Sequence, residues 1–181
     1  MPVSEQTFVQ LALEEPNQWE LYCGHLRRKP SMTYEHNHVT DALFYRLRQQ
    51  LGPTEFEVRD SAGHVRRSAE SYFIPDVCVI PIELTRSLRG RRDLLEAYAA
   101  PLPLVVEVWS PSTGDYDVDS KIPEYQARGD LEIWRIHPFE RTLTAWRRQP
   151  DGSYAETLYA GRIVQPVALP NVTIDLDTLF D

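Results

Sequence analysis

A mixed α+β fold, with a mixed β-sheet flanked by helices, is predicted by three observations. From Tyr34 to Leu51, His36, Val39, Leu43, Leu47 and Leu51 recur every three or four residues, the repeat of an amphipathic helix. Leu104-Val105-Val106-Glu107-Val108-Trp109 is a short, nearly continuous apolar run, as expected of a strand buried on both faces. Shorter segments rich in β-branched and aromatic residues lie before and after these two, so strands and helices mix along one chain. With 181 residues, no internal repeat and no linker, the chain is expected to form a single domain over 1–181.

The elements follow in order. Ser4 to Glu15 has Phe8, Leu11, Ala12 and Glu15 at helical spacing behind Ser4 as N-cap, with Pro16 as a stop, giving a short leading helix over 4–15. Trp19 to Leu26 alternates around Gly24 and predicts a small hairpin. The helix from Tyr34 ends at Gly52-Pro53. Thr54 to Arg59 and Ser71 to Ile82 predict strands, with a loop around Ser61-Ala62-Gly63, and Arg86 to Ala99 predicts a helix. After the Leu104 strand, Asp117 to Arg128 predicts a helix in which Pro123 is tolerable only in the first turn, closed by Gly129. Leu131 to Ile136, Leu143 to Arg148 and Tyr154 to Leu158 predict strands, and Val172 to Phe180 a strand and closing turn.

Composition excludes several classes. Hydrophobic residues at 42% and charged residues at 25% rule out a disordered or collagen-like chain. No apolar run approaches the roughly 20 residues of a membrane span, and Met1 to Glu5 lacks the features of a secretory signal. A cytoplasmic protein is therefore expected. Two cysteines, Cys23 and Cys78, suit reduced thiols better than a disulfide framework or a zinc site.

The chemistry starts from two misplaced carboxylates. Asp76 opens the apolar strand Val77-Cys78-Val79-Ile80, and Glu107 sits inside the Leu104 strand. Desolvating an ionised carboxylate costs several kcal/mol unless it is paired or bound to a metal. If the two strands are neighbours, the side chains can converge at a strand end, where oxygen ligands suit Mg²⁺ or Mn²⁺. Spacing alone leaves equal room for Asp76 as a strand cap and Glu107 as the partner of an arginine. Lys121 adds weight to a site, because this chain uses 17 Arg and only 2 Lys, and a lysine soon after the Glu107 strand can point back toward its end. The alternative is a solvated lysine paired with Glu124.

Ile74-Pro75-Asp76-Val77, then Val106-Glu107-Val108-Trp109-Ser110-Pro111-Ser112-Thr113, then Asp117, Lys121, Tyr125 and Gly129, and finally Glu132 to Pro138, resemble in order and spacing the Uma-two family of the PD-(D/E)XK nuclease superfamily. The similarity runs from about Trp19 to the end of the chain. It implies a restriction-endonuclease-like core, a divalent-metal site for a Mg²⁺ or Mn²⁺ cofactor, and hydrolysis of DNA phosphodiester bonds. By the same resemblance Asp76 and Glu107 are metal ligands, the main-chain carbonyl of Val108 is a natural third ligand, and Glu20 is an early acid that completes the site. The motif's lysine position is occupied by Trp109, and Lys121 stands where the family carries the displaced lysine.

His36 lies on the apolar stripe of the Tyr34 helix, where it can act as a general base or phosphate contact, or be a core histidine held by a hydrogen bond. Basic clusters at Arg27-Arg28-Lys29, Arg66-Arg67 and Arg86 to Arg92 offer local phosphate contacts despite a formal net charge of −8. That overall charge argues for binding through patches and a homodimer. The expected activity is metal-dependent DNA cleavage. Two alternatives are a noncatalytic descendant of the fold that binds DNA or oligomerises, and a small-molecule-binding protein whose acids pair with arginines.

Overall fold

The computed structural model describes residues 2–181. Ser4 accepts from the Thr7 N–H and caps α1 (Glu5–Glu14). β1 (Trp19–Tyr22) and β2 (His25–Arg28) form the expected hairpin. Both turn residues, Cys23 and Gly24, have positive φ, 50° and 77°, as a two-residue turn matched to the twist of the strands requires. α2 (Tyr34–Gln50) is capped by the Thr33 side chain. It is followed by β3 (Phe56–Asp60), β4 (His64–Ser68), β5 (Ser71–Phe73), β6 (Val77–Pro81), β7 (Ala97–Tyr98) and β8 (Leu104–Val108). Next come α3 (Gly114–Tyr116), a π-helical turn (Asp117–Lys121) and α4 (Ile122–Arg128). The chain ends with β9 (Glu132–His137), β10 (Thr142–Arg148), β11 (Tyr154–Ala160), β12 (Ile163–Val164), β13 (Ile174–Asp175) and α5 (Leu176–Leu179).

The mixed sheet has six strands in the order β11-β10-β9-β8-β6-β3. Only β8 and β9 run parallel, and α3, the π-turn and α4 form the crossover between them. Strand alternation divides the core between the two faces. Val77 and Val79 of β6 and Leu104, Val106 and Val108 of β8 pack with Val39, Leu43 and Leu47 of α2. Cys78, Ile80 and Val105 face the other way and meet Ile122 and Tyr125 of α4 with Phe73. Helices thus flank the sheet on both faces, as the sequence predicts.

A second sheet, order β2-β1-β5-β4-β7, lies beyond what the sequence pattern predicts. It arises because the segment from Ser71 to Ile82 is two strands rather than one. β5 pairs with β1 and β4, whereas β6 pairs with β3 and β8. Ile74-Pro75-Asp76 is the passage between the sheets, and proline, lacking an N–H, suits a place where ladder bonding stops.

Arg86 to Ala99 is not a helix. A single 3₁₀ turn over Ile82–Thr85 gives way to turns, then β7. Gly90 takes φ +73°, and Arg91 forks onto Asp93 two residues on, a local pairing that competes with helix. The helix predicted from Asp117 is wound wide at its start. The Ile122 N–H reaches back to the Asp117 carbonyl, the five-residue step of a π-turn, frequent at functional sites. Pro123 follows in the first turn of α4, and Gly129 closes it with φ +81°.

Candidate functional site

Asp76 and Glu107 lie across from one another at the end of the β6–β8 pair. The antiparallel register pairs Val77 with Val106, and one further step sets Asp76 opposite Glu107. The Val108 N–H donates to Asp76 Oδ2 at 2.7 Å, fixing that carboxylate to β8. His36, from the first turn of α2, places Nε2 3.1 Å from the same oxygen. Glu107 points to the α4 face, where it accepts from the Tyr125 hydroxyl and from the Lys121 ammonium, the latter at 3.2 Å.

The five-stranded sheet supplies the remaining acid. Glu20 of β1 accepts the Ile74 N–H at 2.8 Å and lies 2.8 Å from Lys121 Nζ. The structure therefore gathers Glu20, His36, Asp76, Glu107 and Lys121 in one cluster, each between 1% and 3% exposed. Two elements of it were not read from the sequence as site residues. Lys29, just past β2, places Nζ 2.8 Å from Asp76 Oδ1 and donates to the Ile74 carbonyl at 3.1 Å. Lysine is scarce in this chain, and both lysines end at this acid cluster. Asp117, from the π-turn, accepts from Thr113 Oγ1 at 3.0 Å, and its carboxyl feels both Lys121 and Asp76.

Electrostatics splits the acids. Burial opposes ionisation of Asp76, but the Lys29 ammonium and the His36 hydrogen bond outweigh it and hold this carboxyl well below the usual carboxylate range. Burial pushes Glu107 well above that range; Asp76 and Asp117 add to the rise, and Lys121 only partly offsets it. Burial likewise lifts Asp117 to about 6. Lys121 stays charged although burial disfavours it, because Glu107 and Glu20 more than compensate.

Four carboxyls, Glu20, Asp76, Glu107 and Asp117, thus share a buried space with two ammonium groups. Glu107 and Asp117, the two acids whose proton affinity burial raises, are the ones a bound divalent cation would ionise, and hard oxygen donors suit Mg²⁺ or Mn²⁺. Asp76 Oδ1 and Asp117 Oδ1 are buried without an aligned hydrogen bond, Asp76 Oδ1 having only its ion pair with Lys29. Among the described residues, however, no three His, Cys, Asp or Glu side chains converge as a ready-made metal cluster. The donor chemistry fits a divalent cation, while the present arrangement is built around two ammoniums.

Such a fold is that of a restriction-endonuclease-like α+β protein, and comparisons place it more narrowly. Residues 5–177 match the model of the Uma2 family, described as "Putative restriction endonuclease", and the chain belongs to that family. Its fold is similar to the crystal structure of a "putative nuclease belonging to DUF820" from Anabaena variabilis. The two share 16% sequence identity with a TM-score of 0.78, and the likeness covers 99% of this chain and 98% of that one. Among curated proteins none matches. Among the described residues no helix is long and apolar enough to cross a membrane.

Proposed function

We propose that this chain is a single PD-(D/E)XK-like domain that hydrolyses DNA phosphodiester bonds with the help of Mg²⁺ or Mn²⁺. The observation that carries the reading is the convergence of Glu20 and Glu107 on Lys121 from two different sheets, with Asp76 set opposite Glu107 and held to β8 by the Val108 N–H. A fold needing only stability has little use for such a cluster, since apolar side chains of similar volume are as stabilising as buried ion pairs or more so.

Asp76 and Glu107, with the Val108 main-chain carbonyl, are the residues that would hold the cation. When bound, the cation supplies Lewis acidity toward the phosphoryl oxygens and lowers the cost of deprotonating water. Lys121, held by Glu20 and Glu107, presents a fixed positive charge to the negative charge that develops during attack, without the cost of reorienting a dipole. Glu20 is a positioning residue for this ammonium, and Tyr125 fixes the Glu107 carboxyl. His36 orients Asp76 and lines the polar cleft beside it.

One observation favours the noncatalytic alternative: Lys29 and Lys121 neutralise two of the acids with no metal at all. Two measurements separate the readings. A metal-dependent nuclease melts higher with Mn²⁺ than in chelator and cuts DNA. A chain with no metal shift and no cleavage of single-stranded, duplex or branched DNA is the noncatalytic form. Function as a homodimer in the cytoplasm remains part of the proposal, tested by sedimentation of the purified chain and by its location in fractionated cells.

A further inference from the structure

We propose that the polar cleft leading to Lys29 is the channel by which a phosphodiester strand reaches the acid cluster, with Lys29 contacting the phosphate at its inner end. This deepens the nuclease reading and rests on it. The cleft, about 430 Å³, is lined by Gln18, Arg28, Lys29, His36, Asn37 and Ser61 among others, and no carboxylate lines it. In a chain with a formal net charge of −8, a concavity of cations and amides without an acid is selective for an anion.

The cleft and the cluster meet at two residues. Lys29 and His36 line the cleft, and both touch Asp76; Glu20, Glu107 and Lys121 do not line it. A phosphate arriving this way therefore meets Lys29 and His36 before any carboxylate. An ammonium has three donors. Lys29 spends one on the Ile74 carbonyl and faces Asp76 with another, which leaves a third N–H for a phosphate oxygen. A compact lysine charge suits that role. Arg28, exposed on β2 and lining the same cleft, supplies a second cation nearer the mouth.

The test is oligonucleotide affinity measured in EDTA across a salt series, so that cleavage plays no part, for the parent, Lys29→Met and Arg28→Gln. Each variant is expected to bind severalfold more weakly and to lower the slope of log K on log salt by about one, the effect of one lost phosphate contact. Arg28 is exposed, so Arg28→Gln decides the matter if Lys29→Met fails to fold. Parent-like affinity and slope in Arg28→Gln and in folded Lys29→Met overturn the channel, and the nuclease reading then stands if the parent cuts DNA. A parent that neither binds nor cuts DNA sinks the nuclease reading itself, and the channel with it. A parent whose melting shifts with inorganic phosphate but that binds no oligonucleotide overturns the strand channel in favour of a site for free phosphate.

Discussion

The Lys121 ammonium lies 2.8 Å from Glu20 Oε1, and this contact ties the crossover to the five-stranded sheet. Its other partner, Glu107 at 3.2 Å, belongs to the six-stranded sheet. One side chain thus holds acids from two sheets at a single point, and its removal separates fold from chemistry. Lys121→Ala is expected to keep the Mn²⁺-dependent rise in melting temperature but to lose DNA cleavage by roughly a hundredfold or more, the scale of one preorganised charge contact. Melting and cleavage rates of the same preparation check both halves. A variant that cuts as fast as the parent would remove Lys121 from the mechanism.

Asp76 and Glu107 are expected to respond unequally when neutralised. Asp76 is an ionised carboxylate facing Lys29 and His36, so Asp76→Asn strips a buried ammonium of its partner and should cost about 3–5 kcal/mol in chelator. Glu107 is crowded by Asp76 and Asp117, with its proton affinity raised by burial. Lys121 keeps Glu20 at 2.8 Å when Glu107 is neutralised, so Glu107→Gln should cost less than Asp76→Asn in chelator. Both should lose the Mn²⁺ response. Denaturant melts with and without Mn²⁺ read all four values, and an intact metal response in either variant counts against that ligand.

His64 provides a test of pH dependence beside the cluster, where Glu20 partly offsets the effect of burial. Its Nε2 sits 2.9 Å from the Trp19 carbonyl, with Phe8 and Tyr72 packed against the ring. Burial pushes its pKa below the ordinary 6.5, so the unfolded chain binds a proton more readily than the folded one. The stabilising contribution is then complete above the unfolded value and is lost as pH falls through the lowered folded value. Stability of the parent relative to His64→Gln should shrink on going from neutral pH to about pH 5. A constant difference would show that the imidazole is not held neutral.

Gly114 is a packing requirement next to the site. A Cβ at this position would lie 2.2 Å from Trp109 Nε1, too close without a shift of the indole. Trp109 itself stacks on His137 with ring centroids 4.3 Å apart. Gly114→Ala is expected to destabilise by about 1–3 kcal/mol, the range of overpacking, and to change tryptophan fluorescence. Unchanged melting would mean that α3 moves freely away from β8.

Arg128 is the structural counterpart to the lysines. Its guanidinium donates to the carbonyls of Arg66, Tyr98 and Ala100 and forks onto Asp130, whose own carboxylate accepts the Leu102 N–H. Lysine lacks the planar fork of donors this requires. Arg128→Lys and Arg128→Met are therefore both expected to cost about 3–5 kcal/mol, as for a broken buried pair, in chelator and in Mn²⁺ alike. A mild Arg128→Lys would show that charge, rather than geometry, is what the pocket needs.

Periodicity and local chemistry by themselves determined much of this protein. The apolar stripe of α2, the buried run of β8 with its out-of-place Glu107, the Cys23-Gly24 turn and the Gly129 stop are consequences of residues within a few positions of one another, and they are legible without a fold. The order of motifs added Asp76, Glu20, His36 and Lys121 as one candidate set. What the linear pattern could not carry is partnership between distant segments. That Ser71 to Ile82 divides between two sheets at Ile74-Pro75-Asp76 depends on which strands lie beside it, because a β-strand's hydrogen bonds run to neighbours remote in sequence. The same holds for Lys29, which in sequence belongs to a basic run: it enters the acid cluster only because β1 of the hairpin pairs with β5 and so lies beside the Ile74 passage. Which ammonium neutralises which buried carboxylate is a matter of desolvation and distance, and only the tertiary structure decides both.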